Sequence, residues 1–176
     1  MQTQLLEGAV QVSSVYRPFE DGVTHVNVYS RSTCKLGRML SNFAHLPSGC
    51  EHGNFASVEG YWYWLHCDDS SERDRLRTLH GAQAKREGRA LRSQNSGPAD
   101  TDSSEFKAWI VAALECKLKR HASPGGLLHR STLPLTHYYT YGTPDNLRVK
   151  DAGHPWVIAA LEQLRLTLQQ EWGPLP

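Results

Sequence analysis

The chain has 176 residues, 39% hydrophobic and 21% charged, and its 19 basic and 18 acidic side chains leave a formal charge of +1. That length suits one domain burying roughly two-thirds of its unfolded surface, and the balanced charge argues against a dedicated nucleic-acid coat, which carries a strong basic excess. No apolar run approaches the ~20 residues of a membrane helix, and residues 1–8 lack a basic stretch leading into an apolar core, so the expected location is cytoplasmic.

In chain order, residues 1–22 read as a loosely structured lead-in, with a candidate strand over 9–15, before a single domain spanning 23–172. Residues 23–29 alternate apolar and polar with β-branched side chains, which predicts a strand. Residues 30–46 predict a loop with a short turn, carrying Gly37-Arg38-Met39-Leu40-Ser41-Asn42-Phe43. The Pro/Gly/Asn-rich stretch 47–54 is turn chemistry linking two extended pieces. Ser57 is a candidate N-cap for a helix over 58–67, with Glu59 in its first turn.

Residues 68–71 end that helix and cap the next, which runs over 72–92 with a weak point at Gly81. Helical spacing puts Lys85 and Arg89 on one face with Arg92 one turn beyond, and Gly88 lets another backbone approach. Residues 94–103 form a polar loop. Ser104 then caps a helix whose apolar stripe is Phe106, Trp109, Ile110, Ala113, Leu114 and Leu118, with 121–126 ending it. Residues 133–141 predict an edge strand closing on Tyr141-Gly142. Gly153-His154-Pro155 opens a last helix, buried through Trp156, Val157, Ala160, Leu161, Leu164 and Leu168. The pattern is mainly α (α+β): a helical single domain with a small β element.

The chemistry concentrates at Glu59 in Ser57-Val58-Glu59-Gly60-Tyr61-Trp62-Tyr63-Trp64, a carboxylate beside four large aromatics. Apolar walls raise a carboxylate's pKa, and aromatic faces hold flat rings. The alternative is that Glu59 merely favours the positive end of its helix, worth ~0.3–1 kcal/mol. The order of an LSNF segment (40–43), a glutamate-aromatic helix and an AKxxGR-like helix (84–89) resembles the NADAR, or YbiA-like, family. Its members are N-glycosidases acting on ribose-linked bases, either riboflavin-pathway phosphates or ADP-ribose on guanine.

The resemblance implies that Glu59 is catalytic, acting on water or the oxocarbenium-like sugar. It implies phosphate contacts from Arg38, Lys85 and Arg89 beside Gly88, ribose contacts from Ser41 and Asn42, and base contacts from Phe43 and Trp62. Asn42 serves equally as a turn residue. Arg86 and Arg92 read as a solvated face. Gly60 stands where the family has histidine, and Tyr63-Trp64 where it has Gln-Ala, which predicts a remodelled pocket wall. Two or more of the aromatics are expected to be plain core.

Tyr141-Gly142 stands for the family's Trp-Gly pair and is expected to contact the ligand, but the acid preceding that pair is missing; Asp145, and less well Asp151, are the nearest substitutes. The implied partner is a small nucleotide of ADP-ribose or phosphoribosyl type, free or on nucleic acid, with no cofactor and no metal. Cys50 with His52 and His66 with Cys67 fit no zinc spacing, and the four cysteines read as reduced thiols. Two other classes compete: a nucleotide-binding module without turnover, and an interaction protein exposing its Tyr/Trp cluster.

Overall fold

Seven helices pack around three two-stranded ladders in the computed structural model, which describes residues 16–92 and 100–173. The candidate strand over 9–15 and most of the polar loop 94–103 lie outside the described residues. No described helix is long and apolar enough to cross a membrane.

The core is built on two long helices, α5 (Ser104–Arg120) and α7 (Pro155–Trp172). Phe106, Ile110, Leu114 and Leu118 recur at helical spacing and are essentially fully buried. Each such side chain stabilises the fold by about 1.5–3 kcal/mol. Ser103, one residue earlier than expected, caps α5 by accepting from the Phe106 N–H at 3.2 Å. Val157, Leu161, Leu164 and Leu168 bury the facing side of α7. That helix starts at Pro155, where the missing N–H costs nothing.

Glu59 sits on α2 (Val58–Trp64). Ser57 Oγ accepts from Gly60 N–H (3.0 Å) and donates to the Leu79 carbonyl (2.9 Å), so one hydroxyl starts α2 and ties it to the end of the next helix. The expected helix over 72–92 is two helices, α3 (Ser70–Thr78) and α4 (Gly81–Arg92), separated by extended Leu79. Asp69 caps α3 through the Glu72 N–H.

Several expectations change with tertiary context. The loop over 30–46 contains helix α1 (Lys35–Leu40), and the turn segment 47–54 supplies most of a hairpin, β2 (Ser48–Cys50) against β3 (Gly53–Phe55). Residues 121–126 do not end in coil: α6 (Ala122–Arg130) follows α5 directly, its glycines tolerated because Gly125 packs against the Leu118 carbonyl and Trp172. Strand 23–29 shrinks to β1 (Val26–Asn27), parallel to β4 (Leu135–Thr136). The edge strand divides into β4 and β5 (Tyr138–Tyr141), and β5 pairs antiparallel with β6 (Arg148–Asp151). From Tyr16 on, the lead-in is bonded into the fold: Asp21 accepts from Ser32 Oγ and the Asn27 and Thr33 N–H groups.

Candidate functional site

A cavity of about 730 Å³ opens between the LSNF segment, α2, α4 and β5. The segment after α1 joins four helices. The Asn42 carbonyl accepts from the Glu59 N–H at 3.0 Å, and the Phe43 carbonyl from the Gly81 N–H at 3.1 Å. Beneath them the fully buried Lys117 of α5 donates its Nζ to the carbonyls of Leu40 (2.9 Å) and Ser41 (3.3 Å). Ser41, Asn42 and Phe43 are thereby held at the cavity wall.

Glu59 is only 9% exposed and is the one carboxylate among the described residues lining the cavity. Burial pushes its carboxyl up to about 7, with Lys85 and Arg89 drawing it partly back. Five cations line the same space: Arg31, Lys85, Arg89, Arg92 and Lys150. Lys85 Nζ lies 5.3 Å from the Phe43 ring centre and 5.5 Å from that of Tyr139, a cation held between two aromatic faces. Burial, reinforced by Glu59, raises the phenols of Tyr63 and Tyr139 above their ordinary range, with Arg89 opposing, so both stay neutral donors.

The four aromatics of α2 divide by face. Trp62 and Tyr63 line the cavity, whereas Tyr61 and Trp64 are core. The Tyr61 hydroxyl meets His52 Nδ1 at 2.7 Å. Trp62 is wedged against Phe106, His154 and Trp156 with centroids 4.7, 5.1 and 6.0 Å away. It is therefore both a core residue and a rigid wall for a flat ligand.

The fold brings together Glu59, Ser41, Asn42, Phe43, Trp62, Lys85, Arg89 and Tyr141, the last half-exposed at 51%. Three expected ligand contacts lie elsewhere. Arg38 is exposed and spends its Nη1 on the carbonyls of Ser32 (2.7 Å) and Thr33 (2.8 Å). Gly88 is a packing position: a Cβ there would fall inside the Tyr63 ring. Gly142 turns the chain after β5 with φ of +94°. Arg92 is exposed, as a solvated face requires, and also borders the cavity. Gly60 leaves the wall untouched: its missing Cβ makes room for the Leu76 and Leu79 carbonyls, at 2.6 and 2.9 Å from where it would sit.

Neither substitute acid lines the cavity. Asp145 is exposed and absent from the lining, and Asp151 accepts from the Tyr16 hydroxyl and the Gly153 N–H. The Cys-His pairs are engaged separately: His66 Nδ1 meets the Trp62 carbonyl and Cys67 Sγ the Asp69 carbonyl. All four cysteines are free thiols.

Residues missed in the sequence include Tyr29, Arg31, His137, Tyr139, Lys150 and His154. The alternation of 137, 139 and 141 along β5 and the residue before it carried a signal, because side chains of an extended segment alternate faces. Lys117 carried another, standing on the apolar stripe at helical spacing from Ile110, Ala113 and Leu114.

The sequence matches no family model, and no curated protein is significantly similar to it. By structure the chain is similar to the E. coli protein YbiA, solved by NMR, with a TM-score of 0.60 over 85% of this chain and 91% of that one, at 19% identity. The fold is YbiA-like, in agreement with the motif order of residues 40–43, 58–62 and 84–89.

Proposed function

We propose that this YbiA-like chain is an N-glycosidase that hydrolyses the bond between a base and ribose C1′ in an ADP-ribosyl or phosphoribosyl compound. One observation carries the reading: among the described residues the cavity holds a single desolvated carboxylate, Glu59, together with five cations and several aromatic rings. The cations suit phosphates, with Arg89 able to offer a planar fork and Lys85 a point charge. Trp62, Phe43 and Tyr141 suit a flat base, and Ser41 and Asn42 the ribose hydroxyls. Departure of the base leaves positive charge on the sugar, and a carboxylate in a low-dielectric setting stabilises it far better than water does.

A second reading is a binding module for the same nucleotides. It is favoured by the lack of a second carboxylate among the described lining residues. The interaction-protein reading needed an exposed Tyr61–Trp64 cluster, and all four rings are at most 9% exposed.

The two nucleotide readings separate in one experiment. The protein and its Glu59→Gln variant are incubated with ADP-ribosylated guanosine oligonucleotide, NAD, ADP-ribose and a riboflavin-pathway phosphate, and products are read by mass spectrometry. Release of base or ribose phosphate by the parent alone supports the glycosidase. Binding by both proteins without any product selects the module.

A further inference from the structure

Water attack at C1′ needs a proton acceptor, and on the glycosidase reading, on which this inference rests, Glu59 already faces the sugar cation. Strand β5 and the residue before it supply a second candidate. Residues 137, 139 and 141 all line the cavity, whereas Tyr138 between them is fully buried with its hydroxyl on His25 Nε2 at 2.7 Å. His137 thus sets an imidazole on the cavity side of this extended stretch, four residues before Tyr141.

Its tautomer follows from its partner. His137 Nδ1 lies 2.6 Å from the Val28 carbonyl, which can only accept, so Nδ1 carries the hydrogen. The lone pair of the neutral ring is then on Nε2, which has no hydrogen-bond partner among the described residues. The ring is steadied edge-on by Tyr139, centroids 5.5 Å apart. Three charged or titratable groups of other elements act on it electrostatically: Asp151 from β6, His154 ahead of α7 and Lys85 from α4. Burial, with Lys85 and His154, holds the imidazole below its ordinary range against the opposing Val28 carbonyl and Asp151, so it is neutral near pH 7. An oriented neutral imidazole with a bare nitrogen at a cavity wall is the arrangement a general base needs.

We infer that His137 is the base of this site, taking the proton of the attacking water on Nε2 while Glu59 stabilises the sugar cation. The C1′–N bond breaks with its electron pair leaving on the base nitrogen, and the water oxygen bonds to C1′. One water proton passes to Nε2, giving imidazolium, and the departing nitrogen takes a proton from solvent. The imidazolium then releases its proton to solvent, and the site is reset. The acid missing from the Tyr141-Gly142 region is thereby replaced in function by a residue of different chemistry.

The test is the pH–rate profile of the parent and of His137→Asn, whose amide N–H can still donate to the Val28 carbonyl but which cannot take up the proton. The substrate is the compound the parent turns over among those above. Expected for His137→Asn is a kcat loss of about 100-fold or more, with KM little changed and an unaltered thermal midpoint. The parent's log rate should rise with a slope of two at low pH, where both His137 and Glu59 must deprotonate, and the variant's with a slope of one. Added imidazole should restore part of the activity of His137→Ala. A His137→Asn enzyme with parental kcat and the same slope overturns the assignment and leaves the glycosidase intact. A parent that turns over none of the compounds overturns both together.

Discussion

Glu59→Gln should make the protein more stable at alkaline pH while abolishing turnover. The carboxyl titrates near 7 in the fold against 4.5 for a free glutamate, because burial disfavours its charge more than Lys85 and Arg89 favour it. Between those values the folded state holds a proton that the unfolded chain has released, so stability falls as pH rises through the interval. The contribution is intact below pH 4.5 and lost above 7. The difference corresponds to about 3 kcal/mol at about 1.4 kcal/mol per tenfold change, an upper bound on the gain from a neutral isostere at pH 8.

The glutamine amide must still find partners, at a cost of about 1 kcal/mol, leaving about 2 kcal/mol. For a chain of this size that is a rise in thermal midpoint of roughly 4–8 °C. At pH 5 the unfolded glutamate has already released most of its proton while the folded one holds it, a loss to the parent of about 1 kcal/mol that offsets the amide's cost. The two proteins should therefore melt within roughly 1–2 °C of each other there. Differential scanning calorimetry of both at pH 5 and pH 8 measures the four midpoints. Equal midpoints at pH 8, or a variant less stable than the parent there, would mean that Lys85 and Arg89 stabilise the charged form outright. Glu59 would then not be a carboxylate kept at a cost to stability.

Three further outcomes are expected. Gly88→Ala should push Tyr63 out of the cavity wall and lower stability by about 1–3 kcal/mol in urea denaturation, whereas Arg86→Ala, on an exposed arginine, should leave it unchanged. Calorimetric titration with ADP-ribose should show Arg89→Ala weakening binding about tenfold or more and Arg38→Ala leaving it within about twofold, because only Arg89 lines the cavity. Lys117→Met removes an ammonium that burial holds at about 7, well below a free lysine. Because the folded parent binds fewer protons than its unfolded chain between pH 7 and 10.5, parental stability relative to the variant should increase as pH rises from 7 to 10. Denaturation at both pH values checks the direction. The same variant should bind ADP-ribose more weakly, as the Leu40 and Ser41 carbonyls lose their donor.

What the sequence by itself determined is what local chemistry controls. The α2 start at Ser57, the apolar stripes of α5 and α7 and the proline opening of α7 depend on helical spacing and caps, and all three are present in the fold. Helical spacing likewise put Lys85 and Arg89 on one face; that this face meets Glu59 at one cavity was implied by the family resemblance and is present in the fold. Non-local contacts decided the rest. Residues 122–130 form a helix despite Pro124, Gly125 and Gly126 because α6 is packed between neighbours that a local reading cannot see. β4 and β6 are too short to signal themselves and exist through pairing with β1 and β5.

Arg38 and Arg92 show the same division within the site. Both are arginines on helices, and only the direction each helix faces sends Arg92 to the cavity and Arg38 to the Ser32 and Thr33 carbonyls. His137 is the sharpest case. A histidine between two short strands is unremarkable in sequence, and its tautomer and its place at the cavity depend on the Val28 carbonyl, 109 positions away along the chain. Side-chain type is a local property, but which atom faces a ligand depends on long-range packing, and only the tertiary structure supplies that.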